Sequence, residues 1–260
     1  MDRRELLDKT ARSEEERLLL SRVWDKREQC RLRNIPTATA FLSPQEQAAA
    51  TRLLNALGDR EGYALWGGYE GAERRRLLFL PDWMAEPDDS AVAALRAVCR
   101  SGASLTHRDF LGSLMALGLT REKIGDILVE SGGCQVLVDP LSLDFLTQSW
   151  DSAGRERLTV TPLPLEELTV PQAAVKEVRD TVSSLRLDAV LSAMLHVSRG
   201  TAAELIEAGR VEINHLPVEK PHAPVYEQDV FTVRGKGRFR LTALPGKSKK
   251  DRSIIEFFQY

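Results

Sequence analysis

Start and stop signals cut this chain into helices of a few turns each. Ser13 and Glu16 form a capping-box pattern, and Leu20, Val23, Trp24 and Arg27 follow at helical spacing through to Arg33. Ser43-Pro44-Gln45-Glu46 supplies a cap, a proline at the first helical position and a glutamate that can reach back to the cap amide, and Gly58 is the left-handed stop after Leu57. Thr106 with Asp109 opens a helix whose apolar face is Phe110, Leu111, Leu114, Met115 and Leu117, ended by Gly118. Thr120 is expected to cap another short helix carrying Ile124, Ile127 and Leu128, and Leu141–Trp150 reads as helical. Near the end, Leu187, Val190, Leu191, Met194 and Leu195 share a helical spacing, Val197-Ser198 interrupts, and Ser198 caps a second helix, Arg199–Ala208, closed by Gly209.

Short apolar runs fill the gaps. Tyr63–Tyr69, Arg76–Leu80, Cys134–Val138, Arg157–Leu163, Val211–Ile213, the neighbourhood of Val218, and Val230–Val233 read as strands, while Ala91–Arg100 fits strand or helix. Helices and strands this short predict an α+β protein of three small domains. The expected units are an N-terminal α/β domain over 1–85, a central α/β sandwich over 86–175, and a C-terminal domain over 183–260. Proline- and acid-rich stretches at Pro81–Ser90 and Pro162–Pro171 mark the boundaries. The longest apolar runs are far below the roughly 20 residues that span a bilayer, so no membrane partner is expected. The opening MDRRELLDKTARSEEER has no apolar core of a secretory signal. Cys30, Cys99 and Cys134 are far apart and without CxxC spacing, which predicts reduced, buried thiols in a cytoplasmic protein and no zinc site.

Charge separates the last unit from the rest. The chain of 260 residues has a formal net charge of −2. Residues 183–260 hold 12 Lys and Arg against 9 acids, a net of +3, while the remainder holds 24 against 29, a net of −5. Arg234, Lys236, Arg238, Arg240, Lys247, Lys249, Lys250 and Arg252 face a single acid, Asp251. Local field rather than net charge attracts a polyanion, so this cluster fits a phosphate-binding surface, although density alone fits a solvated basic tail equally well.

The order of residues in this last unit narrows the choice. It reads Arg186-Leu187-Asp188, Ser198-Arg199, Ala203-Glu204-Leu205-Ile206, Gly209-Arg210-Val211, Ile213-Asn214, Val218, Lys220-Pro221, Asp229 and Val233-Arg234-Gly235-Lys236-Gly237-Arg238-Phe239. This resembles an S4 RNA-binding domain. Upstream, Phe41-Leu42-Ser43-Pro44, Gly67-Gly68-Tyr69, Ala72-Glu73-Arg74, Thr106-His107-Arg108-Asp109-Phe110-Leu111-Gly112 and Arg121-Glu122-Lys123-Ile124-Gly125-Asp126-Ile127-Leu128 resemble the bacterial and plastid YlmH family. The resemblance implies a central RRM-like, RNA-binding-like domain and a C-terminal S4 domain. It also implies a non-catalytic role with rRNA and tRNA partners on large ribosomal subunits that still hold peptidyl-tRNA, in ribosome quality control. A link to cell division, an RNA-modifying enzyme with an accessory S4 domain, and a protein adaptor are the alternatives.

The residues support RNA binding in their own right. Arg186 opens one helix and Arg199 the next, and guanidinium groups beside helix N-termini with free backbone amides suit phosphate. Lys220, Arg234, Lys236, Arg238 and Arg240 can extend that site, with Gly235 and Gly237 letting the main chain approach closely between the cations. Asp188 is expected to orient Arg186 or cap its helix; the alternative for both arginines is surface pairing with Glu204, Glu207 and Asp188. Many S4 modules carry a further cation where this chain has Thr201. Arg74-Arg75-Arg76 fits a second basic patch or a charged strand end, and Thr106-His107-Arg108 could face RNA on the family resemblance.

No catalytic residue is expected. Arg-Leu-Asp occurs only in the S4 helix and is followed by Ala189-Val190-Leu191-Ser192 rather than a pseudouridine synthase run. A His-Ile-Gly-His element is missing, and Gly246-Lys247-Ser248-Lys249-Lys250 only superficially matches a synthetase lysine loop. No glycine-rich nucleotide loop occurs, so no cofactor and no small-molecule substrate are expected. His107-Arg108-Asp109 lacks the other parts of a kinase, and His107, His196, His215 and His222 lack metal-ligand spacing.

Overall fold

The computed structural model describes residues 2–170, 176–214, 216–248 and 251–260, which divide between two compact units, Met1–Pro171 and Gln172–Tyr260. Lys249 and Lys250 of the basic cluster, His215, and Pro171 at the second expected boundary lie outside the described residues.

The first unit opens with α1 (Arg3–Thr10), α2 (Glu14–Arg33), β1 (Thr37–Leu42), α3 (Pro44–Leu57), β2 (Tyr63–Trp66) and β3 (Arg75–Phe79). The strands form an antiparallel sheet in the order β1-β3-β2, and the helices bury Leu20, Val23, Leu53 and Leu54 with Leu77 and Phe79 of that sheet. Around Ser43 both bonds of the capping box are made and Gly58 ends α3 at φ 81°. Ser13 caps α2 from one side only. The Glu16 carboxylate accepts instead from the Arg12 amide at 2.6 Å and pairs with Arg52, because a second helix stands within its reach.

The chain then runs β4 (Ala93–Cys99), α4 (His107–Ala116), β5 (Ile124–Glu130), β6 (Gly133–Val138), α5 (Leu143–Ser149), β7 (Ser152–Ala153) and β8 (Glu156–Leu163). The antiparallel order β5-β6-β4-β8-β7 is the split βαβ arrangement of an RRM-like sandwich with β7 added at the edge. Phe110, Leu114, Leu146 and Trp150 from the helices pack on Leu95, Ala97, Cys134 and Val136 of the sheet. Ala93–Cys99, undecided by composition, is a strand because it pairs on both sides.

The helix expected after Thr120 is a correction: a 3-10 turn at Arg121–Lys123 leads straight into β5. Register explains the misreading. Ile124 faces Val138 and Ile127 faces Val136, so a bulge inserts one extra residue and returns Ile124 and Ile127 to the same buried face. That i, i+3 spacing imitates a helix.

The second unit contains β9 (Lys176–Val182), α6 (Leu187–Leu195), α7 (Arg199–Glu207), β10 (Val211–Ile213), β11 (Leu216–Pro217), β12 (Val230–Val233), β13 (Gly237–Lys247) and β14 (Ser253–Gln259). All strands join one antiparallel sheet, β11-β10-β12-β13-β14-β9. Leu187, Val190, Leu191, Met194, Ala202 and Ile206 of the helices cover Phe231, Phe239, Leu241, Ile255 and Phe257 of one sheet face. The sheet takes in Lys176–Val182, upstream of the Ser183 at which the sequence reading starts this domain; β9 pairs with β14 along its length. Cys30, Cys99 and Cys134 are buried and unpaired.

Candidate nucleic-acid interface

The turn His196-Val197-Ser198 brings two helix starts to one carboxylate. His196 ends α6 in the left-handed region at φ 51°, the Ser192 hydroxyl donates to the Val197 carbonyl, and Ser198 caps α7 by accepting from the Thr201 amide. Arg199, first residue of α7, then faces back to Asp188. Its Nε meets Oδ2 at 2.9 Å and Nη2 meets Oδ1 at 3.1 Å, while Arg186 donates to Oδ2 from the other side at 3.0 Å. The Asp188 side chain is 8% exposed, whereas those of Arg186 and Arg199 are 46% and 45% exposed. Burial alone would raise the Asp188 pKa, but the Arg199 hydrogen bond and the two arginine charges hold it below the ordinary carboxylate value. A buried anion thus holds two cations in place, and among the described residues most of their N–H donors remain uncommitted. The surface pairing with Asp188 is made, yet it leaves the guanidinium edges open.

Lys220 begins a loop that passes the same helix start. The loop from Lys220 to Pro224 runs along the start of α6, and the Leu187 and Asp188 amides donate to the carbonyls of Ala223 and Pro221, each at 2.9 Å. The expected free amides at the α6 N-terminus are therefore a correction: the loop occupies them. The first turn of α7 differs, since its Ser198 cap engages Thr201 and leaves the Arg199 and Gly200 amides outside that bond. Thr201 also brings its hydroxyl to Ser198 Oγ at 2.9 Å, so the residue that replaces a cation reinforces the cap.

The remaining predicted cations fall at other places. Arg234 and Lys236 occupy the β12–β13 turn, where the Arg234 amide donates to Arg210 O at 2.9 Å and Arg210 Nη2 donates to Arg234 O at 3.1 Å. Arg210 follows the C-terminal end of α7 and Arg199 begins it, at opposite ends of a nine-residue helix about 13 Å long. Arg210 belongs to this second group and its role was not separated from the motif by sequence. Gly235 and Gly237 have φ of 77° and 112°, so the turn itself demands glycine. Arg238 and Arg240 alternate with the buried Phe239 and Leu241, so they point to the sheet face opposite the helices. Lys247 pairs with Asp251 at 2.7 Å across the β13–β14 turn, and Arg252 donates to the Thr181 carbonyl of β9 at 2.6 Å. Asn214 and Asp229, also in the S4-like pattern, hold each other at 2.7 Å and shape the loop before β12.

In the first unit, the Arg74-Arg75-Arg76 run is an internal fastening. Arg74 donates to the carbonyls of Phe41, Arg121 and Ile124, Arg75 to Ala72, and Arg76 to Thr39 and Ala91. Burial holds the pKa values of Arg74 and Arg76 below normal, and burial beside Arg74 brings Arg121 down to about 10. Asp126 balances this group, accepting from Tyr69 Oη at 2.8 Å and from the Glu73 and Arg74 amides at 2.7 and 3.0 Å. His107, whose pKa burial lowers, lies within the fields of Arg121 and Asp126. Asp109 completes the Thr106 capping box, so the His107-Arg108-Asp109 triplet serves the helix start. One end of the RRM-like sheet is covered on the face away from its helices: Ala94 and Leu137 pack with Phe41, Val92 and Leu163, and Gln135 exchanges hydrogen bonds with Thr169. At the other end Val98, Thr159 and Thr161 are exposed on that face. Among the described residues no group of three potential ligands could hold a metal, and no helix is long and apolar enough to cross a membrane.

Three family models match stretches of the chain. Residues 15–82 match the family model described as "YlmH, N-terminal", residues 99–167 the one described as "Putative RNA-binding domain in YlmH", and residues 185–231 the S4 domain. The chain is 36% identical over 223 residues to the ribosome-associated protein quality control protein P2 of Bacillus subtilis, covering 84% of this chain and 85% of that protein. A solved structure, the cell division protein ylmH from Streptococcus pneumoniae, shares the fold with a TM-score of 0.51 at 20% identity, over 60% of this chain and 96% of that one.

Proposed function

The chain belongs to the YlmH family of S4-domain proteins, and on that premise we propose that it is a non-catalytic RNA-binding protein working on the large ribosomal subunit. It grips structured rRNA or tRNA by phosphate charge and shape, with peptidyl-tRNA on obstructed subunits as the setting. The name of the Bacillus subtilis relative supports the ribosomal setting. One observation carries the binding claim: Asp188 holds Arg186 and Arg199 side by side, half-exposed, where α7 begins. Two oriented guanidiniums at a helix N-terminus can bond phosphate oxygens in pairs, and Lys220 adds a third charge nearby. Asp188, the carboxylate of this arrangement, is buried and bound by both arginines, so the reading is binding rather than chemistry, with the cytoplasm as its setting and no cofactor.

Sedimentation of the purified protein with ribosomal subunits at low and high salt tests it. Wild-type protein should travel with the large subunit at low salt and dissociate as salt rises, because phosphate contacts release counterions. The Arg186→Ala/Arg199→Ala variant should stay at the top of the gradient. Co-sedimentation that survives this double change would overturn the assignment. Incubation with bulk tRNA and rRNA should yield no new modified nucleoside by mass spectrometry.

A further inference from the structure

The open face of the C-terminal sheet carries a second cluster that the Asp188 group does not use. In β13 and β14 the register sets Phe239 opposite Gln259 and Arg240 opposite Phe258. The Tyr260 amide donates to the Arg238 carbonyl at 3.1 Å, which continues the pairing by one step. Phe239, Leu241 and Phe257 point into the core beneath α6 and α7, so Arg238, Arg240, Phe258 and Tyr260 stand together on the other face. Two cations occupy one strand and two aromatic rings the next. The Arg238 guanidinium lies over the Tyr260 ring, 5.8 Å from its centroid, and Tyr260 is 47% exposed. Among the described residues none of the outward side chains of β12, β13 and β14 is fully buried, and Arg240 and Tyr260 are exposed.

The neighbouring charges favour an anion over this plaque. Of the acids facing outward around it, Glu256 is engaged by Arg179 at 3.5 Å, Glu177, level with Phe258, stands on the edge strand β9, and Glu212 stands on β10, two strands from Arg238 in the same row. Arg234 and Lys236 in the turn that opens β13 continue the line of cations from Arg240 and Arg238. Side chains at alternate positions on one strand are about 6.7 Å apart. That spacing suits successive phosphates of an extended single strand, and rings on the adjacent strand then lie where its bases would fall. Aromatic rings beside a row of cations are the means by which proteins take up unpaired nucleotides, since every base offers a π-face.

We infer that Arg238, Arg240, Phe258 and Tyr260 form a second nucleic-acid site that receives an unpaired, extended RNA segment by base stacking, separate from the Asp188 group that grips structured RNA. The inference rests on the RNA-binding reading above and gives it a second contact with a different substrate class. It also places the stacking surface on the S4 unit, whereas the exposed end of the RRM-like sheet face carries Val98, Thr159 and Thr161 and no aromatic ring.

Fluorescence anisotropy of the full chain with two probes separates the two sites: an oligo(A) RNA of about 12 nucleotides, and a blunt RNA duplex of the same length. Phe258→Leu/Tyr260→Leu, chosen to keep apolar bulk while removing the rings, should weaken oligo(A) binding about ten- to hundredfold and leave duplex binding unchanged. Arg186→Ala/Arg199→Ala should do the reverse. Ultraviolet cross-linking of wild type to oligo(A) should attach RNA within residues 253–260. Oligo(A) affinity unchanged in the ring variant, equal losses for both probes, or cross-links elsewhere would each overturn the stacking site. Duplex binding unaffected by the arginine variant would overturn the earlier reading instead.

Discussion

Arg199 closes a two-pronged bond on Asp188, a residue of the preceding helix, and Arg186 meets the same carboxylate from its other side. Because the anion is buried and the cations are half-exposed, Asp188 acts as a brace for the arginines. Holding flexible side chains in a binding geometry reduces the ordering cost of association.

Asp188→Asn should therefore weaken RNA binding even though it makes the surface more positive. We expect about a tenfold loss with a single-stem RNA hairpin, since one tenfold step corresponds to about 1.4 kcal/mol. Tighter binding by the variant, read by filter retention, would sink the brace account and leave simple charge as the cause.

The same carboxylate makes stability depend on pH. Its folded pKa lies below the unfolded value, so its contribution is fully present above about pH 4 and disappears as pH falls through the folded value. Urea unfolding should thus show wild type more stable than Asp188→Asn at pH 7, with the gap narrowing in acid. A gap that stays constant from pH 7 to strongly acidic conditions would contradict this.

Salt dependence should report how many phosphates are neutralised. Each of Arg186→Ala, Arg199→Ala and Lys220→Ala should lower the log–log salt slope by about 1 unit. Asp126→Ala, which is remote in sequence and fastens the first unit, should leave that slope intact.

Asp126→Ala should instead destabilise the first unit. It removes the acceptor for Tyr69, Glu73 and Arg74, takes the counter-charge from the part-buried Arg121 and leaves Arg74 with only Glu46 and Glu122. A loss of about 3 kcal/mol is expected. Gly125→Ala should cost about 1–3 kcal/mol by another route, because a Cβ there would stand 2.7 Å from Phe41 Cε1 and 2.9 Å from Leu137 Cβ. Chemical unfolding followed by tryptophan fluorescence checks both.

Truncation tests the extent of the last domain. A fragment starting at Ser183 lacks β9 and exposes the edge of β14, whereas one starting at Gln172 retains the pairing. The shorter fragment should be less stable and prone to self-association by size-exclusion chromatography; equal behaviour would show that β9 is dispensable.

Local chemistry made much of this architecture readable. Ser43 with Glu46, Thr106 with Asp109, Ser198, Gly58 and Gly209 mark helix ends because a cap or a left-handed stop needs only neighbours in the chain. Strand β9 escaped notice because Lys-Glu-Val-Arg-Asp-Thr-Val puts only Val178 and Val182 on its inner face, with Lys176 and Asp180 interrupting the apolar pattern. The Ile124–Ile127 segment deceived because its bulge copies a helical spacing.

Charge was equally divided between what can and cannot be read. By itself the sequence determined where cations are dense, which short helices Arg186 and Arg199 open, and that the last third differs from the rest. Only the tertiary structure decided which cations act together. Arg74 and Arg76, as basic as any others in composition, are enclosed by backbone carbonyls, while Arg238 and Arg240 point away from Arg186 and Arg199 across a sheet. A guanidinium's task follows from what lies within about 3 Å of it, and that is set by strand register and packing between segments far apart in the chain.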